Sequence, residues 1–266
     1  MKNRLISFIK TIIVIYALLC ILLYFFQESL IFFPQELPQG HQFNFNQEFN
    51  ELSFKSKDGK LLNGLLFKSI NSKGLIFYLH GNSGSLNSWG NVAMTYTKLN
   101  YDVFILDYRG YGKSQGKIYN QEQLFEDNAI VYNKLKEGYN EDNIIILGYS
   151  IGTGLASKLA SENNSKHLIL QAPYYSLAHL VQQKFSFIPS FILKYKLETN
   201  QYLKKCKMPI TIFHGDIDNV INLNASLKLK KEFGEQIHLI ILENQGHNGI
   251  TENKNYRNEL KKILIK

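Results

Sequence analysis

Cysteine is nearly absent: the 266 residues hold two, Cys20 and Cys206. Cys20 lies in an apolar N-terminal run and Cys206 near the start of an expected strand, so no disulfide joins them and the fold does not depend on one. No C-x-x-C, no H-E-x-x-H and no cluster of His and Asp at ligand spacing occurs, so neither a metal site nor a cofactor is expected. Internal repeats and low-complexity tracts are also missing. The net charge of +8 comes almost wholly from lysine, yet the lysines are scattered among Glu and Asp, and no basic run interleaves with aromatics. That pattern describes a solvated surface, and nucleic-acid binding is not expected.

Charge is lacking in one more place. Residues 5–26 are mostly apolar, and residues 11–26 carry no charge at all. A helix of that length reaches across the roughly 30 Å hydrocarbon layer, with Lys10 able to extend to the interface. Lys2, Arg4 and Lys10 precede the run and Glu28 follows it. The positive-inside rule then sets the N-terminus in the cytoplasm and the rest of this single-pass chain on the extracytoplasmic side. A cleaved signal peptide needs small residues at its cleavage site, whereas Leu18-Leu19-Cys20 and Phe25-Phe26-Gln27 are bulky. Leu19 is likewise unsuited to precede a lipidated Cys20. An uncleaved anchor is therefore expected over residues 1–28, with a polar linker over 29–50 and a single domain over 51–266.

That domain changes texture along its length. Residues 51–56 alternate apolar and polar, and Asp58-Gly59 turns the chain into a second strand at 61–67. From Gly74 onward, short apolar runs alternate with longer amphipathic stretches. Strands are expected at 75–79, 102–106, 143–147, 168–171, 210–213 and 238–242. Helices are expected at 87–99, 121–136, 153–160, 223–233 and 254–265, and 173–208 reads as an irregular insert. Regular β/α alternation after an antiparallel start predicts an α/β domain with a mostly parallel, eight-stranded mixed sheet covered on both faces.

Between the strand at 143–147 and the helix at 153–160 lies Gly148-Tyr149-Ser150-Ile151-Gly152, which reads G-x-S-x-G. A serine on a sharp strand-to-helix turn needs neighbours without side chains, because the backbones pack closely there. A serine hydroxyl attacks at neutral pH only when a base takes its proton and an acid orients that base. Downstream, His214-Gly215-Asp216-Ile217-Asp218 follows one strand and Gly246-His247-Asn248 follows the last. The order serine, acid, histidine is the one this strand–turn–helix context requires. His247 is the expected base. The acid is Asp216 or Asp218, with Glu243 a weaker candidate. His214 sits at a strand end, where a core histidine bonded to backbone is expected, His238 starts a strand, and His41, His167 and His179 have no partner pattern in the sequence. Oxyanion donors are expected from His80-Gly81-Asn82-Ser83-Gly84, as the backbone N–H of Asn82 (or Ser83, if the loop turns by one) paired with that of Ile151. Gly112-Lys113-Ser114 imitates the end of a phosphate-binding loop, but Asp107 stands where the pattern needs glycine, and nucleotide binding is rejected.

These segments, together with Asp107-Tyr108-Arg109-Gly110-Tyr111-Gly112-Lys113-Ser114-Gln115-Gly116, resemble the α/β-hydrolase superfamily. The resemblance is to its N-terminally anchored, serine-aminopeptidase-like branch, and it covers residues 50–266. It implies a Ser150–Asp218–His247 triad, since the family's H-G-x-x-D-x-x-V pattern puts the acid three residues after Gly215. Asn222 stands where that pattern commonly has proline. It implies a bracing role for Asp107 and Arg109, and a lid over the serine at 173–208. That insert is rich in apolar residues, Phe185, Phe187 and Phe191 among them, which suits a small-molecule substrate with an apolar acyl group. Ester or thioester hydrolysis through an acyl-enzyme is expected; a peptidase or amidase, or a non-catalytic anchored interaction protein, are the alternatives.

Overall fold

The apolar N-terminal run forms one continuous helix, α1 (Lys2–Ile31), in the computed structural model, which describes residues 1–265. Its first buried position is Gln27; before that its side chains are exposed, apart from the partly shielded Cys20 and Leu23. Among the described residues it is the one helix long and apolar enough to cross a membrane. The chain leaves α1 in extended form at Phe32, and β1 (Phe33–Pro34) pairs in parallel with Ser83–Gly84. Farther along, Phe43 is buried and Phe45 meets Phe49 and Phe67 edge-on, so residues 29–50 lie against the domain rather than hanging free of it.

The domain then runs in order. A hairpin of β2 (Phe49–Lys55) and β3 (Leu61–Phe67) turns at Gly59, whose φ of 82° suits glycine. There follow β4 (Leu75–Leu79), β5 (Ser83–Gly84), α2 (Leu86–Trp89), α3 (Ala93–Thr97), β6 (Asp102–Leu106) and α4 (Gln121–Lys136). Next come β7 (Ile144–Tyr149), α5 (Gly152–Ser161), β8 (His167–Gln171), α6 (Leu177–Lys184) and α7 (Thr199–Leu203). The chain ends with β9 (Ile210–Gly215), α8 (Asn224–Phe233), β10 (Ile237–Leu242) and α9 (Lys254–Ile265). Eight strands make one sheet in the order β10-β9-β8-β7-β4-β6-β3-β2, antiparallel at β2–β3 and β3–β6 and parallel elsewhere.

Strand residues alternate between two cores, because successive side chains leave opposite faces of a strand. Phe77, Ile146, Leu170 and Ile212 pack with Val131, Leu155 and Leu229 from α4, α5 and α8. Tyr78, Ile145, Leu147 and Ile169 pack on the other face with Tyr96, Tyr256 and Leu260 from α3 and α9. Both faces being covered, the central strands are apolar throughout.

Two segments differ from the sequence expectation. The helix expected at 87–99 is broken into α2 and α3 by a tighter turn, Gly90–Val92. A Cβ on Gly90 would come within 2.3 Å of the Phe45 ring, so the close passage of that aromatic requires glycine there. The insert at 173–208 is also more regular than expected, holding α6, a 3-10 turn at Ser190–Ile192 and α7.

The chain crosses from β6 on one side of β4 to β7 on the other. In parallel sheets the crevice at the carboxyl ends of strands beside such a reversal is where ligands bind.

Candidate active site

Ser150 follows β7 at that crevice with φ of 52°, a left-handed conformation that is unusual for a residue with a Cβ. Its own N–H donates to the Gln171 carbonyl at 2.9 Å, and its carbonyl accepts from Thr153 N–H at 2.9 Å, which fixes the turn. The flanking glycines permit it. A Cβ on Gly148 would lie 2.5 Å from the Gly152 carbonyl oxygen, and one on Gly152 would lie 2.1 Å from that of Leu79. The strained serine therefore rests on two contacts that only glycine allows.

His247, in the loop after β10, sets Nε2 at 2.9 Å from Ser150 Oγ. Its Nδ1 lies 2.7 Å from Asp218 Oδ2. An ionised carboxylate only accepts, so Nδ1–H donates to Asp218 and Nε2 is left to accept the serine proton. The His247 carbonyl in turn accepts from Tyr149 O–H at 2.7 Å.

Asp218 occupies the turn after β9. Its Oδ1 accepts from the N–H groups of Val220 and Ile221, both at 2.8 Å, and Oδ2 also lies 3.4 Å from His214 Nε2. Burial alone would raise its pKa. The bonds from His214, His247 and the Ile221 N–H outweigh that and hold the carboxyl well below the ordinary carboxylate range. Asp216 is exposed and accepts from Gln245 N–H at 3.2 Å, and Glu243 is exposed. The alternation of the turn thus sends Asp218 inward to the histidine and Asp216 outward.

The remaining histidines lie elsewhere. His214 is wholly buried, donating from Nε2 to the Ile221 carbonyl at 2.8 Å with Nδ1 at 2.7 Å from Ser226 Oγ. His41 meets Asn87, His167 meets Thr211 and His179 lies beside Lys228. Among the described residues no group of three or more His, Cys, Asp or Glu side chains is arranged to hold a metal.

Asn82 follows β4 and Ile151 follows the serine. The Asn82 carbonyl accepts from Phe33 N–H at 2.8 Å and Tyr111 O–H at 2.6 Å, and its side chain donates to the Ile31 carbonyl at 3.2 Å. The Ile151 carbonyl accepts from Tyr174 O–H at 2.9 Å. Among the described residues neither backbone N–H has a hydrogen-bond acceptor in the protein. Asp107 and Arg109 brace the neighbouring loops: Asp107 accepts from Leu86 N–H at 3.0 Å, while Arg109 joins Asp127 and Asp58. Burial raises the Asp107 pKa, against the pull of His80.

A cleft of about 370 Å³ opens over Ser150 and His247. Leu177, Leu180, Val181 and Phe185 from the insert form one side of it. Leu30 and Ile31, the last residues of α1, form another. The sequence reading missed that contribution from α1. Its one signal was the continuation of the apolar run past Glu28 as far as Pro34, longer than a crossing needs.

Residues 70–201 match the family described as serine aminopeptidase, S33. Protein bem46 of Schizosaccharomyces pombe is 28% identical over 217 residues, 75% of this chain and 72% of its own. Alpha/beta hydrolase domain-containing protein 17C of Xenopus tropicalis is 29% identical over 208 residues, 74% of this chain and 63% of its own. An esterase of Pyrococcus furiosus, 18% identical, shares the fold with a TM-score of 0.70 over 88% of this chain and 97% of its own. The sheet order, the glycine-flanked serine turn and these likenesses lead to one conclusion: the chain has the α/β-hydrolase fold, and its residues 70–201 are similar to the serine-aminopeptidase family.

Proposed function

We propose that the protein is a serine hydrolase that cleaves carboxylic ester or thioester bonds of apolar acyl substrates. The observation that carries this reading is the unbroken relay from Ser150 Oγ through His247 to Asp218, at 2.9 and 2.7 Å, under an apolar cleft. His247 Nε2 takes the Ser150 proton as Oγ attacks the acyl carbon. The N–H groups of Asn82 and Ile151 stabilise the oxyanion, each worth roughly 3–4 kcal/mol in such sites. His247 then returns the proton to the leaving alkoxide or thiolate, leaving an acyl-serine. Water activated by the same histidine releases the acid and restores the serine.

The matched family's description names an aminopeptidase, which has to hold a free amino group. Among the described residues that line the cleft there is no Asp or Glu, and the one charged side chain is Lys184. A substrate ammonium has no partner there, which favours an acyl group over an N-terminus.

The same proposal has α1 as an uncleaved, single-pass anchor, the N-terminus cytoplasmic and the domain extracytoplasmic. Lys2, Arg4 and Lys10 before the span support the orientation. The burial of Gln27 and the packing of Ile31 against the core support retention of the helix.

The test is turnover by the full chain in detergent on p-nitrophenyl esters of increasing acyl length, matched thioesters and matched anilides. Ester and thioester hydrolysis should exceed anilide hydrolysis and disappear in S150A. A folded protein that turns over none of them, or equally well as S150A, refutes the reading.

A further inference from the structure

The insert between β8 and β9 does more than cover the serine. Residues 185–193, Phe-Ser-Phe-Ile-Pro-Ser-Phe-Ile-Leu, carry no charge and lie between Lys184 and Lys194. Phe185, Phe187 and Phe191 are 49%, 55% and 83% exposed, an apolar display that water does not favour.

This loop runs along α1. Gln27 donates to the Ile192 carbonyl at 2.8 Å and accepts from Lys194 N–H at 2.9 Å. Glu28 bonds Lys194 Nζ at 3.1 Å and Tyr195 O–H at 2.9 Å. Eleven residues before Gln27 on the helix, Tyr16 O–H donates to the Phe187 carbonyl at 2.6 Å. Between those anchor points, Cys20 and Leu23 are the only residues of 17–26 shielded from the surroundings. Tyr16, Cys20, Leu23 and Gln27 follow one face of a helix, at spacings of four, three and four.

Helix geometry then fixes where the loop lies. From Lys2 to Tyr16 a helix rises only about 22 Å, short of the roughly 30 Å hydrocarbon layer. If α1 crosses a membrane, Tyr16 is inside it, and so is the backbone of Phe187. Gln27 is about 16 Å farther along the axis.

A non-helical segment tolerates acyl chains only if its backbone polar groups find partners. Here that condition is met in part: the N–H groups of Phe185, Ile188, Ile192 and Leu193 donate within the loop or to α6 and Pro189 has none to satisfy, while those of Ser186, Phe187, Ser190 and Phe191 have no acceptor among the described residues. The carbonyls of Phe187 and Ile192 accept from Tyr16 and Gln27.

We propose that residues 185–193 are a second membrane-embedded element, inserted beside α1 in the same leaflet, so that the Ser150 cleft opens onto that leaflet's acyl chains and draws lipid-like esters from it. The two walls of the cleft, the end of α1 and the stretch leading into the loop, are the two elements that enter the bilayer. The substrate half of this inference rests on the hydrolase reading above; the insertion half rests only on α1 spanning.

The experiment uses the full chain in phosphatidylcholine vesicles. F187C in a C20S background is labelled with an environment-sensitive nitrobenzoxadiazole, Cys206 being buried and its thiol pushed up to about 12. L19C in the same background reports on α1 itself. Both labels should be quenched by nitroxides on lipid acyl chains and spared by aqueous dithionite. Quenching of the α1 label alone overturns the loop insertion and leaves the anchor standing; protection of neither overturns both. In the activity arm, F187D/F191D should keep short soluble ester hydrolysis within about twofold and lose at least tenfold on an ester embedded in vesicles. Equal activity on the embedded ester overturns lipid delivery, while a wild type inactive on the soluble ester overturns the hydrolase reading and leaves the quenching result to judge insertion.

Discussion

Phe33 donates its backbone N–H to the carbonyl of Asn82 at 2.8 Å, so the strand that leaves the apolar helix is bonded to the loop facing Ser150. Ile31 accepts from the Asn82 side chain on the same stretch. The end of α1 is thus a wall of the cleft and a brace for one expected oxyanion donor. F33P removes the N–H without touching Ser150, His247 or Asp218. A lost hydrogen bond of about 1 kcal/mol should lower kcat several-fold with little change in KM. Steady-state kinetics on a soluble ester check this, and an unchanged kcat contradicts the brace.

Asp218 and Asp216 are two residues apart, yet only Asp218 reaches His247. D218N keeps the shape but reverses the hydrogen-bond demand at Nδ1, favouring the wrong tautomer. It should cost a thousandfold or more in kcat, in line with the roughly ten-thousandfold loss such changes produce. D216N should stay within about twofold. Comparable losses in both would mean the acid has been misassigned.

Gly152 approaches Leu79 too closely for any side chain. G152A should destabilise the fold by about 2 kcal/mol or more, since the obstructing atom is backbone of β4. Gly138, beyond α4, has only an ordinary contact at 3.8 Å for an added Cβ, and G138A should be neutral within about 0.5 kcal/mol. Chemical denaturation of both decides it; equal stability would contradict the close-packed elbow.

His167 is bonded to Thr211 at 2.9 Å, and burial, reinforced by Lys166 and His238, pushes its pKa down to about 4. The unfolded chain binds that proton nearer pH 6.5, about the ordinary value. The contribution is complete above about pH 6.5 and is lost as pH falls through about 4. Tm should therefore drop across that window in the wild type, and drop less in H167Q. Parallel curves would contradict the assignment.

Much of this was legible in the residues. The β/α alternation of 75–265 follows from apolar runs bounded by glycine and polar turns, and the sheet reproduces it. Ser150, Asp218 and His247, drawn from three segments, do meet at one crevice. The choice between Asp216 and Asp218 was not legible from spacing alone, because it depends on backbone N–H groups of Val220 and Ile221 that turn one carboxylate inward. The break between α2 and α3 was hidden for a similar reason: it answers to Phe45, a residue distant in sequence. So was the role of α1 in the cleft. Periodicity describes how a helix faces its surroundings, and nothing in it reveals that two residues at the helix end will line another element's site.

The most direct test of the central claim is covalent. A fluorophosphonate reacts when an activated serine oxygen attacks phosphorus and fluoride leaves, and the site of attachment is read by mass spectrometry of the digested full chain. The account predicts phosphonylation at Ser150 in the wild type, none in S150A and strongly slowed labelling in D218N. Folded wild-type protein whose Ser150 stays unmodified would contradict it.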